Sequence, residues 1–207
     1  MQHTAPIEFT DEIKSLFVDK KLLQARERLL QTLSNNWDGH CNLIAFTFLY
    51  AEGRNEEDCV QALHWLEQGV ARNEVDAKVI LGRLLLSGEL GHQDFPRGLQ
   101  LLEQAAQANV LMAVLTLAQI HQGGVEGQLE ANPILTQRYV KQAADLGDPN
   151  SAYRLALDLE RGETPDLLQA FKYFDKAAQG GLAQAMHNVG VYYLHGKGVV
   201  KNIHLAL

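Results

Sequence analysis

The sequence predicts an all-α protein: a right-handed α/α superhelical solenoid of stacked helix hairpins. Composition is the first reason. The 207 residues are 46% hydrophobic and 21% charged, and they include only five prolines. Long stretches rich in Leu, Ala, Gln, Glu and Lys favour helix, because these side chains lose little rotamer freedom on a helix. The second reason is internal similarity at a period of 34 to 38 residues, which indicates a helical repeat array.

One helix of the repeating unit is marked by a large apolar residue, with a small residue four positions later. The large residues are Trp65, Leu101, Tyr139 and Tyr173, at intervals of 36, 38 and 34. Seven residues before each stands a short polar residue that can cap a helix by accepting a hydrogen bond from a first-turn amide. These predicted caps are Asp58, Asp94, Asn132 and Asp166, and Asn202 follows 36 residues later.

The preceding helix of each unit has its own pattern: a small residue, an apolar residue four later, a small one at five, a large one at eight and Gly at eleven. It starts at Ala77, Ala113, Ser151 and Ala185, at the same intervals of 36, 38 and 34. Offsets zero, four, eight and eleven share one helical face, and the small residues let helices approach closely. We expect stacked hairpins whose first helices line an inner groove and whose second helices form the back.

These patterns resemble a known family. The small-x-x-x-Leu-Gly-x-x-Tyr-x-x-Gly first helix and the Asp-x-x-x-Ala-x-x-Tyr-x-x-Ala-Ala second helix are similar to Sel-one-like repeats, which are relatives of tetratricopeptide repeats. The last unit matches best, with Ala185, Val189-Gly190, Tyr193 and Gly196-Lys197-Gly198-Val199 in order. The resemblance implies a scaffold or adaptor that binds a partner protein or peptide; in bacteria such proteins often serve signalling, envelope assembly or host contact.

The repeat spacing predicts six segments within one solenoid domain. They are an N-terminal helical cap at 1–38, a degenerate repeat at 39–72, repeats at 73–108, 109–147 and 148–180, and an incomplete final repeat at 181–207. In the cap we expect helices at 10–17 and 21–33, with Thr10 capping the first. The next large residue of a second helix would fall near position 209. We therefore expect that the native chain continues or that this open C-terminal end packs against another molecule, possible self-association included.

Charge and segment composition exclude several classes of partner. There are 25 acidic and 18 basic residues, for a net charge of −7, and no basic cluster is longer than Lys20-Lys21, so we predict no nucleic-acid binding. No stretch has the length of a membrane span, and the N-terminus lacks the apolar core of a signal peptide. We predict a cytoplasmic protein without membrane insertion, in which Cys41 and Cys59 are packing residues.

The sequence also argues against catalysis. Some cysteine-rich members of the family are described as penicillin-binding or β-lactamase-like, but this chain has two cysteines, and none of its four serines is followed at plus three by Lys. The histidines are scattered, and His121 stands at an aromatic position of the repeat, where packing is expected. We predict no enzyme, no cofactor and no metal. The alternatives are a cell-wall or β-lactam hydrolase and a self-assembling structural subunit.

The candidate contacts are first-helix positions that point away from the packing stripe, at offsets two, three, six and ten. Aromatic, charged and amide side chains occupy these positions, and together they can supply aromatic anchors and hydrogen bonds to a peptide. An ordinary solvated face is the alternative for any single position. The predicted binding residues are Phe48, Arg83, Gln119, Tyr153, Arg154, Arg161, Asn188 and His195. The repeated aromatic residues Trp65, Tyr139, Tyr173, Phe174 and Tyr193 are predicted to lie in the core.

Overall fold

The computed structural model describes residues 11–32 and 40–206. Within these ranges the chain is helical throughout, with one isolated bridge between Val125 and Leu129 and no β-strand. The all-α class and the helical-repeat architecture are therefore confirmed. The helices are α1 (Asp11–Val18), α2 (Leu22–Thr32), α3 (Cys41–Leu49), α4 (Glu56–Ala71), α5 (Val75–Ser87), α6 (Phe95–Gln107), α7 (Leu111–Gly123), α8 (Pro133–Asp145), α9 (Pro149–Arg161), α10 (Leu167–Gln179), α11 (Ala183–His195) and a 3-10 helix (Ile203–Leu205).

The chain forms two compact units, residues 1–108 and 109–207. In each unit, a first helix and the second helix that follows it pack as a hairpin: α3 with α4 and α5 with α6 in one unit, α7 with α8 and α9 with α10 in the other. The predicted helices at 10–17 and 21–33 correspond to α1 and α2. The predicted Thr10 cap lies outside the described residues.

Four of the predicted caps are confirmed. Asn202 caps the 3-10 helix, and its side chain accepts from His204 N at 3.1 Å. The side chains of Asp94, Asn132 and Asp166 accept hydrogen bonds from Arg97 N, Leu135 N and Gln169 N, at 3.0 to 3.1 Å. Each occupies one of the first-turn amides that have no partner within the helix.

The predicted cap at Asp58 is wrong, because α4 starts a turn earlier than the repeat spacing indicates. Asn55 is the N-cap, and its side chain accepts from Asp58 N at 3.0 Å. Asp58 lies at the third helical position and accepts from Asn55 N at 3.1 Å, which completes a capping box. The acidic residues Glu56, Glu57 and Asp58 therefore lie in the first turn, where negative charge favours the helix dipole.

Small residues bring the helices of a hairpin close together, as predicted. In the α5–α6 hairpin, a Cβ added to Gly82 would lie 3.0 Å from Gly98 O, and one added to Gly98 would lie 2.7 Å from Gly82 O. At the equivalent position of α9, Ala156 is fully buried. The first helices end at left-handed glycines in α5 and α11, with φ of +68° at Gly88 and +70° at Gly196.

The aromatic core differs in part from the prediction. Tyr139 and Phe174 are buried, but Trp65, Tyr173 and Tyr193 are half-buried. In α11 the buried ring is that of Tyr192, which packs against Phe174 at 5.4 Å between ring centroids. The repeat spacing placed Tyr193 on the packing face, but the structure buries Tyr192, which points 100° away from it around the helix. His121 is buried and its ring stacks on Tyr139 at 5.7 Å, in keeping with a packing role.

Candidate interaction surface

The exposed side of α7, α9 and α11 carries six of the predicted contact residues. We call this the first-helix surface of residues 109–207. Its predicted members are Gln119, Tyr153, Arg154, Arg161, Asn188 and His195. Tyr153 and Asn188 are half-buried, and the other four are exposed.

Two hydrogen bonds connect the three helices across this surface. Arg154 Nη1 donates to Gln122 Oε1 at 2.7 Å, which joins α9 to α7. Asn188 Nδ2 donates to Tyr153 Oη at 3.4 Å, which joins α11 to α9. The structure thus brings Tyr153 and Asn188 together, and it brings Arg154 to a glutamine that sequence reasoning missed. The available signal was helical spacing, because Gln122 follows Gln119 by three residues and lies on the same side of α7.

The half-buried position of Tyr153 fixes its ring. The ring packs edge-on against Phe174 at 5.6 Å between centroids, so core contacts hold it from below. Its hydroxyl meets the Asn188 amide, whose carbonyl oxygen is an acceptor for a peptide N–H. Arg154 keeps further N–H donors beyond the one that bonds Gln122. The arrangement can offer an immobilised aromatic ring, amide groups and a cation to a bound chain.

Arg161 and His195 lie away from this centre. Both occupy the last turn of their helices, α9 and α11. Arg161 follows Arg154 by seven residues, which places it about two turns, or roughly 10 Å, further along α9. At a helix C-terminus a positive charge stabilises the helix through its dipole, so Arg161 also has a local role.

The unit of residues 1–108 carries the other two predicted contacts, and they differ. Arg83 is exposed on α5, as expected. Phe48 is only 9% exposed and belongs to the core, so its prediction as a surface contact is corrected. The guanidinium of Arg26 lies 3.6 Å from the centroid of the Phe48 ring and covers it.

Arg26 itself connects α2 to α3 and α4. Its Nη2 donates to Thr47 O at 2.8 Å, and its Nη1 lies 3.6 Å from Asp58 Oδ1. Burial lowers the pKa of the Arg26 guanidinium, and the charge of Asp58 acts in the opposite direction. Because α2 packs on this side of α3, the degenerate repeat at 39–72 does not expose the face that the repeat pattern predicted.

A separate polar cluster joins the second helices α8 and α10. Tyr173 Oη donates to Asp145 Oδ1 at 2.9 Å, and Lys141 Nζ donates to Asp145 Oδ2 at 2.8 Å. Burial disfavours the charged carboxylate, but these two hydrogen bonds and the charges of Lys141 and Lys176 together outweigh it and lower the pKa of Asp145. Burial, together with the Asp145 carboxylate, raises the pKa of Tyr173. The cluster links the α7–α8 hairpin to the α9–α10 hairpin.

The cysteines and metal-ligand types form no reactive centre in the part of the chain that the structure describes. Cys41 is 1% exposed, and burial, aided by the nearby Glu74 carboxylate, raises the pKa of its thiol to about 11. No group of three or more His, Cys, Asp or Glu side chains among the described residues could hold a metal ion. Over the same residues, every helix is too short or too polar to cross a bilayer.

The repeated helix hairpins place this chain in the class of helical-repeat proteins. Comparison with family models shows which repeat family it belongs to. The Sel1 repeat model matches residues 41–73, 75–110, 112–148, 149–182 and 183–207. The first four matches each contain one hairpin, and the last contains α11 and the 3-10 helix. The chain belongs to the Sel1 repeat family, which confirms the resemblance seen in the sequence.

Two curated relatives are fungal. The chain is 30% identical over 156 residues to the chitin synthase regulator SKT5 of Saccharomyces cerevisiae, covering 71% of this chain and 22% of that protein. It is 38% identical over 74 residues to chitin synthase regulatory factor 2 of Schizosaccharomyces pombe, covering 35% of this chain and 14% of that protein. The chain therefore spans about a fifth or less of the length of these relatives.

Solved structures show the same fold at low sequence identity. A Sel1 repeat protein from Oxalobacter formigenes aligns with a TM-score of 0.66 and 20% identity, over 95% of this chain and 80% of that chain. The protein c5321, a protective antigen of uropathogenic Escherichia coli with an SLR fold, aligns with a TM-score of 0.65 and 20% identity, over 86% of this chain and 38% of that chain.

Proposed function

We propose that this protein is a non-enzymatic scaffold or adaptor, and that the first-helix surface of residues 109–207 binds a partner protein or peptide. Membership of the Sel1 repeat family supports a role in protein–protein interaction. The fungal relatives are named as regulators of another protein, a chitin synthase, which agrees with such a role. The proposed location of the site rests on the two hydrogen bonds, Arg154 to Gln122 and Asn188 to Tyr153, that connect α7, α9 and α11.

The chemistry of this surface suits a peptide. Tyr and Arg are the side chains that most often dominate binding energy at interfaces, and here Tyr153 is held in place by Phe174 and Asn188. A fixed side chain loses little conformational entropy on binding. Arg154 can exchange Gln122 for a carboxylate of the partner, because an amide oxygen is a weaker acceptor for a guanidinium than a carboxylate.

On this proposal Gln119, Arg161 and His195 form the polar rim of the site. Arg83 is the corresponding exposed first-helix position in the other unit, at the same offset as Gln119, and we propose it as a separate contact. Rim residues contribute less to affinity than central ones, so their single substitution is expected to have small effects.

The test is comparative affinity capture from a lysate of the source organism. The variant combines Tyr153→Phe, Arg154→Ala and Asn188→Ala; retaining the Tyr153 ring preserves its contact with Phe174. A matched control replaces the exposed second-helix residues Gln137, Arg138 and Lys172 with Ala. We expect a specific protein to be captured by the wild type and the control but lost from the variant, with equal far-UV circular dichroism melts for variant and wild type. Equal capture by the variant would overturn this location of the site.

A further inference from the structure

The first-helix surface of residues 109–207 presents similar groups at two levels. Arg154 of α9 and Asn188 of α11 stand at equivalent positions, three residues after the small residue that opens the pattern of each first helix. Arg161 and His195 also stand at equivalent positions, each seven residues further along its helix. Because seven helical residues rise roughly 10 Å, each level has a guanidinium on α9 and a second polar group on α11, and the two levels are about 10 Å apart.

A short apolar strip lies between the two levels. Leu157 of α9 and Val191 of α11 are again equivalent, six residues after the start of the pattern, and both are half-buried. Each points within about 60° of the polar groups of its own helix, at 100° per residue. A segment that contacts both levels would therefore also cover Leu157 and Val191 and remove apolar surface from water.

The two guanidiniums of this surface have no carboxylate partner among the residues that the structure describes. Elsewhere in the same unit a cation pairs with a carboxylate, as Lys197 Nζ does with Glu160 Oε1 at 3.5 Å. Arg154 instead bonds the neutral amide of Gln122, and Arg161 makes no ion pair within the described ranges. In a chain of net charge −7, two guanidiniums on one surface are thus available to an anion from outside.

Acidic residues are scarce on the three first helices. The helices α7 and α11 contain none, and α9 contains Asp158 and Glu160. Glu160 is paired with Lys197, so Asp158 is the acidic residue of α9 that lies between the levels, four residues after Arg154. Its charge would repel a carboxylate placed midway between the two guanidiniums. The surface therefore favours two separated carboxylates over a continuous acidic run.

We propose that the partner segment bound by this surface is extended and acidic, with two carboxylates three residues apart and an apolar residue between them. The inference rests on the proposed function and names the chemistry of its partner. An extended chain advances about 3.3 Å per residue, so three residues span the roughly 10 Å from Arg154 to Arg161. The apolar residue covers Leu157 and Val191. The extended backbone leaves its own N–H and C=O groups free to pair with amides such as that of Asn188.

The probe for the test is a random library of dodecapeptides displayed on phage and selected on the full chain. We expect the enriched peptides to carry two Asp or Glu residues three positions apart, with an apolar residue between them. An enriched peptide, made synthetically with a fluorophore, should bind the wild type in fluorescence anisotropy. Arg154→Glu combined with Arg161→Glu should weaken binding by about tenfold or more, because each guanidinium supplies a charge-assisted hydrogen bond. The same peptide with both acids replaced by their amides should lose binding equally.

The matched control combines Arg138→Glu and Lys172→Glu, which changes the charge by the same amount at exposed second-helix positions and should leave binding within about twofold. If circular dichroism shows the arginine variant to be misfolded, Arg154→Gln with Arg161→Gln takes its place. Absence of enrichment, enrichment of neutral or basic peptides, or acidic pairs at another spacing would overturn the inference. Equal binding by the arginine variant, or equal weakening in the control, would do so too.

The inference and the proposed function fail separately. Lysate capture by the wild type, and its loss with the Tyr153, Arg154 and Asn188 substitutions, tests the location of the site whatever the charge of the partner. If that capture is lost as expected while the selected peptides carry no acidic pair, the binding surface stands and the acidic partner is wrong. If capture is unchanged, the location itself is wrong.

Discussion

Single residues in this protein are assigned by their neighbours as much as by their position in the repeat. Phe48 stands at a position that points outward in other repeats, yet α2 and the Arg26 guanidinium cover it. Tyr153 occupies the boundary between core and surface, with its ring on Phe174 and its hydroxyl at Asn188. Cys41 lies at the buried extreme, beside Glu74 and Arg72.

The environment of Cys41 predicts selective protection of one thiol. Burial and the Glu74 carboxylate raise the pKa of Cys41 to about 11, so at pH 8 the thiol is protonated and a poor nucleophile. Cys59 is half-buried and more accessible. We expect iodoacetamide at pH 8 to alkylate Cys59 and spare Cys41 in the native protein, as measured by peptide mass mapping. In guanidinium chloride both should react, and equal native labelling would contradict the prediction.

At the scale of elements, close approach between the two helices of a hairpin depends on small residues rather than on large ones. Gly82 and Gly98 face one another in the α5–α6 hairpin, and each backbone carbonyl lies where the other residue would carry a Cβ. Leu86 and Leu102 pack beside this contact. The α5–α6 distance is therefore set by the absence of two side chains.

This contact predicts a sensitive position. Gly98→Ala would place a Cβ 2.7 Å from Gly82 O, so the backbones must separate. We expect the free energy of unfolding to fall by about 1–3 kcal/mol, as for other overpacked sites, in chemical denaturation.

The matched control is Gly123→Ala in the last turn of α7, where an added Cβ would meet nothing within 4 Å. There the better helix propensity of Ala should leave stability unchanged or raise it by up to about 1 kcal/mol. Equal effects at both glycines would show that the α5–α6 contact is loose.

At the scale of the whole molecule, the chain divides into two compact units, residues 1–108 and 109–207. The large buried cluster around Ile44, Leu66 and Leu81 draws on residues below 109, while those around Ala177 and Phe174 draw on residues above it. Contacts in a repeat array are made mainly between sequence neighbours, so each unit should hold much of its own stability.

This division predicts that residues 109–207 fold when produced alone. We expect a helical far-UV circular dichroism spectrum and a cooperative thermal transition. The comparison is a fragment of residues 125–207, which lacks α7 and leaves the apolar side of α8 exposed. It should melt at a lower temperature, because the buried Tyr139 loses the His121 ring on which it stacks. A 109–207 fragment without helical signal would contradict the division into units.

Much of the fold could be predicted because the repeat applies the same rule several times. Three intervals shared by two sets of positions indicated the hairpins, and the caps at Asp94, Asn132 and Asp166 followed from the side-chain chemistry of helix starts. Prediction was weaker where one unit departs from the rule. The start of α4 at Asn55 and the burial of Tyr192 instead of Tyr193 depend on local geometry that the common spacing does not carry.

The candidate site, like the fold, could be predicted from the sequence only in part. Six of the predicted positions lie on one side of α7, α9 and α11, because helical periodicity alone decides which side chains point away from the packing stripe. The pairing of Arg154 with Gln122 and of Tyr153 with Asn188 needed the structure, since residues 32 and 35 apart meet only when the helices are stacked.

The sequence by itself determined that this is an all-helical repeat protein, where most hairpins begin and end, and which residues are small enough for close packing. These properties depend on local chemistry and a period, both of which are written along the chain. Tertiary structure alone decided that Phe48 is buried under Arg26 and which polar residues meet across neighbouring helices. Those properties depend on which surfaces face each other, and contacts between segments some 30 residues apart exist only once the hairpins have stacked.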